Sequence, residues 1–101
     1  MNLGNSLNTA LVKLTRLILK VDGEQRELLL VQHEELSGQL QELVNKTIPN
    51  DSEEYAKANG ALLQLVNAIA EAQQDVNKIV DVVGKIANAV NLVSKLVDKV
   101  T

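Results

Sequence analysis

The side chains able to do chemistry in this chain are few and far apart. His33 is the one histidine, and Glu34 and Glu35 follow it. A metal site or an acid/base pair on a helix needs a second group three or four residues further on, on the same face. Leu36 and Ser37 stand at those places, so His33 reads as a seam or seam-edge histidine of a helix. Glu24, Glu27, Glu34, Glu35 and Glu42 follow along the same segment, with Arg26 and Lys46 nearby. General acid/base work needs two carboxyls converging in a pocket. These have no flanking aromatics or apolar wall, and they read as a solvated helix face. The glycines form neither G-x-x-x-x-G-K nor G-x-G-x-x-G, the loops that cradle phosphates. With no cysteine, disulfides, thiolate chemistry and Cys-ligated zinc fall away together. No catalytic residue, metal or cofactor is assigned, and an enzyme is not expected.

The most suggestive functional feature is basic. Lys13, Arg16 and Lys20 lie at helical spacing opposite Leu7, Leu11, Leu14 and Ile18, and residues 1–21 hold no acid. Such a helix can rest on an anionic membrane surface. As a nucleic-acid footprint it is poor, because three cations without stacking aromatics leave little to read.

The elements that carry these residues are helical. From Tyr55 onwards, Leu62, Ile69, Val76, Val83, Val90 and Val97 recur in sevens. Three residues after each come Leu65, Ala72, Ile79, Ile86, Val93 and Val100, with Ala58 three after Tyr55. This a/d pattern predicts one long helix over 52–100, ~73 Å at 1.5 Å per residue. Val66, Val80, Val82 and Leu96 widen the apolar face beyond what one neighbour covers. Nine valines between Leu62 and Val100 are mediocre helix formers, so this helix must be held by packing.

The first arm is predicted over 6–47 after a loose lead-in at 1–5, with Leu29, His33, Leu36, Leu40, Leu43 and Thr47 on its inner face. Asp22-Gly23 interrupts it. Either Asp22 caps a new helix, or one helix continues with an irregularity at Gly23; the continuous helix is favoured. Ile48-Pro49-Asn50-Asp51-Ser52 holds the sole proline, which ends the first arm. A turn is expected at 48–51, with Asp51 and Glu54 as a capping box for the next helix.

The expected fold is therefore all-α: a long antiparallel hairpin, coiled-coil-like, completing a four-helix bundle by dimerisation. The interaction seam is expected at Leu62, Leu65, Ile69, Val76, Ile79, Val83, Ile86, Val90, Val93 and Val97. In outline the chain is similar to the small helical-hairpin substrates of type VII secretion. Those carry a Trp-x-Gly at the turn, and this chain has no tryptophan. The likeness is one of architecture and brings no function with it.

Charge is uneven within a net of −3. Residues 22–75 carry eleven acids against Arg26, Lys46 and Lys57, whereas both ends are basic. In a hairpin this gathers Lys13, Arg16, Lys95 and Lys99 at one pole, with Asp51, Glu53 and Glu54 at the other. No run is apolar enough to cross a bilayer, and Lys13, Arg16 and Lys20 break any signal-peptide core. A soluble cytoplasmic chain is expected, with export lacking a cleaved signal as the other route. The functional expectation is a non-enzymatic helical interaction or assembly module whose partner is a second copy or another helical protein. Association with a membrane surface through its basic ends is the alternative.

Overall fold

Gly23 and Asp75 decide how the chain folds. In a computed structural model that describes residues 3–44 and 52–99, each of these two residues ends one helix and starts another. Helix α1 runs over Leu3–Ile18 and α2 over Gly23–Val44. Between them the chain tightens, Lys20 N–H donating to the Leu17 carbonyl at 2.9 Å. It then reverses through Gly23, whose φ is 67°. A side chain disfavours that left-handed conformation, and glycine adopts it freely. The first arm is thus two helices, and the continuous helix favoured from the sequence gives way to the break.

The second arm divides as well. Helix α3 spans Glu53–Gln74 and α4 spans Ile79–Lys99, joined by a short 3-10 turn at Val76–Lys78. Asp75 is extended, with φ −143° and ψ 104°. Its N–H donates to the Glu71 carbonyl and closes α3, while its carboxylate accepts the Asn77 N–H at 3.1 Å and opens the next turn. The single helix expected over 52–100 is corrected here. Aspartate satisfies the free backbone groups of both ends without glycine or proline. Two other boundaries move. The helix begins at Leu3, which is itself buried, so residues 3–5 are not a loose lead-in. Ser52 caps α3, its hydroxyl accepting the Tyr55 N–H at 3.2 Å; Asp51 and the turn at 48–51 lie outside the described residues.

The cross-helix hydrogen bonds fix the topology. Leu3 N–H donates to the Tyr55 phenol oxygen and Ser6 Oγ to Asn59 Oδ1, each at 2.6 Å, so α1 runs parallel to α3. Gln32 reaches Val83 and Gln39 reaches Val90, so α2 runs parallel to α4. Helices joined in sequence, α1–α2 and α3–α4, are antiparallel neighbours. The contacts close a square in the order α1, α2, α4, α3, with α2 and α3 diagonal to one another. This is a four-helix bundle built by one chain, 38 × 19 × 18 Å in extent.

The core explains why four helices are needed. Leu7, Leu14 and Leu17 of α1 meet Leu29 and Leu36 of α2, Leu62, Leu65 and Ile69 of α3, and Ile79, Val82, Ile86 and Leu96 of α4, all fully buried. Val82 and Leu96, expected to seek a second copy, are covered by the chain's own helices. The neighbours that a two-helix hairpin lacks are supplied by α1 and α2.

Candidate interaction surface

The expected seam is mostly interior. Leu62, Leu65, Ile69, Ile79, Ile86, Val93 and Val97 are buried in the core, Val83 and Val90 are half-buried against it, and Val76 is exposed at the break. The basic residues keep to the outside, with Arg16 exposed and Lys13 half-buried on α1 and Lys20 exposed in the turn that follows it. Their apolar counterparts Leu7, Leu11, Leu14 and Ile18 are all buried. The expected charge poles do not form. Lys95 lines a cavity of about 220 Å³ together with Glu54 and Lys57, so acid and base share one end of the bundle.

His33 sits at the edge of the seam. It is half-buried between α1 and α2, with Nε2 3.0 Å from Thr15 Oγ1. The Thr15 hydroxyl also donates to the Leu11 carbonyl at 2.9 Å. The inner position next to it belongs to Gln32, only 8% exposed.

Gln32 belongs to a pair. Gln32 Nε2 donates to the Val83 carbonyl at 3.2 Å. Seven residues on, Gln39 Nε2 donates to the Val90 carbonyl and to Ser94 Oγ, both at 2.9 Å. These amides tie two parallel helices that no short loop connects. They leave a deficit, because Gln32 Oε1 and Gln39 Oε1 are buried without a hydrogen-bond partner. An unsatisfied buried acceptor is unfavourable by about 1–3 kcal/mol.

The same edge of the bundle is apolar on its outside. Leu28 and Val31 of α2 are 45% and 55% exposed, and Val76 of the 3-10 turn and Val80 at the start of α4 are 58% and 73% exposed. The Gln32–Val83 register, repeated by Gln39–Val90, sets Leu28 level with Ile79 and Val31 level with Val82; Val80 stands about 60° around α4 from Val83, so Leu28, Val31 and Val80 flank the same α2–α4 groove. At 100° per residue, Glu24, Leu28, Val31, Glu35 and Glu42 fall on one stripe of α2. Towards the other end of the groove, Gln39, Glu42, Ser94, Val97 and Asp98 line a cavity of about 210 Å³. Glu24, Glu35, Glu42 and Asp98 make no ion pair among the described residues; the resolved surface pairs are Lys57–Glu53 and Lys78–Glu71.

Comparison with known protein families, curated proteins and solved structures found no match. The surface therefore stands on its own geometry. The heptad reading marks its α4 side, with Val76 in the seam and Val80 on the widened apolar face, but it misses the α2 side, for which a signal is present. Leu28-Leu29-Leu30-Val31 is an unbroken apolar run in an otherwise charged helix, and one helix face buries only part of such a run. Among the described residues no helix is long and apolar enough to cross a membrane.

Proposed function

We propose that this protein is a non-enzymatic helical interaction module, which binds another helical surface through side chains on the outside of its bundle. One observation carries this reading: the exposed patch of Leu28, Val31, Val76 and Val80 where α2 meets α4. Exposed apolar patches rimmed by polar groups mark interaction sites in soluble domains. The seam proposed from the sequence is occupied within the chain, so association with a second copy or another protein uses outward faces. Lipid binding by α1 through Leu7, Leu11, Leu14 and Ile18 requires that helix to leave the core, which disfavours the membrane-surface alternative.

A photoreactive amino acid placed at Val80, and separately at the exposed Asn67 of α3, tests the reading in the cells that make the protein. Discrete adducts from position 80 but not from position 67 are expected, whether with a copy or with another protein. No adduct from position 80 above the level at position 67 removes the reading.

A further inference from the structure

Resting on the interaction reading above, we infer that the α2–α4 face receives a basic amphipathic helix of another protein. Its apolar side lies on Val31 and Val80, and a lysine or arginine enters the cavity beside Gln39.

Charge selects the partner. Glu24, Glu35 and Glu42 of α2 and Asp98 of α4 border this face without an ion pair among the described residues. The nearby described cations point elsewhere: Lys78, in the 3-10 turn, pairs with Glu71 of α3, Lys95 lines a cavity with Glu54 and Lys57 of α3, and Lys85 stands about 140° around α4 from Val80. Arg26 stands about 200° around α2 from Leu28, on the opposite side of that helix. Two copies docked through this face bring eight carboxylates together with no cation between them among the described side chains, which disfavours self-pairing. A partner carrying lysine or arginine beside its apolar residues meets both parts of the surface.

The cavity adds a geometric demand. Gln39 lines it, with its amide nitrogen donating to the Val90 carbonyl and to Ser94 Oγ. Glu42 and Asp98 line the same cavity. Two carboxylates lining one space of about 210 Å³ suit an ammonium or guanidinium group, which offers only donors. From Val80 to Ser94 along α4 is about 21 Å, the length of a helix of about 14 residues. One short helix therefore spans from the apolar patch to the acidic cavity.

The test uses the full chain and two synthetic helical peptides of about 18 residues. Both carry leucines at i, i+3, i+4 and i+7; one has lysine and arginine at the flanking positions and the other has glutamate. Binding is measured by calorimetry, and the site is mapped from amide NMR shifts. The basic peptide is expected to bind, with shifts in Leu28–Gln39 and Val80–Ser94 and with affinity falling as salt rises. Combined Glu24→Lys, Glu35→Lys and Glu42→Lys changes are all exposed and leave the circular-dichroism melt in place. They should weaken the basic peptide roughly tenfold or more and let the acidic peptide bind. Equal binding of both peptides, shifts confined to α1 and α3, or a dimer through this face that the basic peptide does not displace overturns the assignment. If the acidic peptide or a second copy occupies the face, the partner class is wrong and the interaction reading stands. If neither peptide nor a copy binds there and position 80 yields no adduct, both fall.

Discussion

The phenol oxygen of Tyr55, at the start of α3, accepts the backbone N–H of Leu3, at the start of α1, at 2.6 Å. The first N–H groups of a helix have no partner within it. Here a side chain 52 residues away supplies one, and Ser6 reinforces it from the buried side by donating to Asn59. The one aromatic residue of the chain thus caps a helix end and holds two parallel helices in register.

Tyr55→Phe removes that acceptor and keeps the ring. Loss of about 1 kcal/mol is expected, equivalent to a fall in Tm of roughly 4–8 °C for a domain of this size. Amide exchange should quicken most over Leu3–Leu7. An unchanged melt with unchanged exchange at those residues shows that the contact does not cap α1.

Glycine substitutions should split by backbone conformation. Gly23 has φ 67° and Gly38 lies within α2, and an added Cβ meets nothing within 4 Å at either. Space is equal, so only conformation differs. Gly23→Ala should destabilise by about 1 kcal/mol, and Gly38→Ala should stabilise by about 0.5–1 kcal/mol. Denaturant midpoints of the two variants decide it; shifts of the same sign would falsify the assignment of the α1–α2 reversal to Gly23.

How far these features were legible follows from what each rests on. The heptad positions Leu65, Ala72, Ile79, Ile86 and Val93 are all buried as their spacing predicts, because apolar periodicity reports which side of a helix faces inward. It does not report whether the helix is continuous. Asp75 closes α3 through its N–H to the Glu71 carbonyl and opens the next turn by accepting the Asn77 N–H on its carboxylate, and the apolar frame resumes four residues later as though uninterrupted. Once that break exists, Val82 and Leu96 find neighbours in the same chain, and the case for a second copy at the seam loses its premise. Gln32 and Gln39 are uncharged and unremarkable in composition. Their role depends on facing carbonyls of a parallel helix, which spacing along one strand of sequence does not carry.

The core and the patch should respond differently to the same truncation. Ile86 is fully buried, whereas Val80 is 73% exposed. Ile86→Ala should cost about 2–5 kcal/mol, enough to remove much of the stability of a small domain. Val80→Ala should stay within about 0.5 kcal/mol of the native protein. Chemical denaturation followed by circular dichroism checks both. Comparable losses in the two variants place Val80 inside a contact that the bundle does not contain.

Gln32 provides the sharpest test of the α2–α4 seam. Gln32→Leu gives up the hydrogen bond to Val83, but it also removes the orphaned Oε1. Deleting a buried acceptor along with its donor can be nearly neutral, so a change within about 1 kcal/mol is expected. Gln32→Glu keeps the shape and replaces the donor with a carboxylate facing the Val83 carbonyl. Burial and that carbonyl both oppose the charged form, which raises the carboxyl's pKa in the folded state. The folded state then binds its proton more tightly than the unfolded state, so stability is lost as pH rises past the unfolded value of about 4.3. At neutral pH a loss of roughly 2–4 kcal/mol is expected. Below about pH 4 the protonated carboxyl can again donate to Val83 and most of the loss should disappear. Unfolding curves of both variants, each referenced to the native protein at the same pH, settle the matter. A pH-independent deficit in Gln32→Glu, or a large deficit in Gln32→Leu, means that Gln32 does not donate across a dry seam to α4.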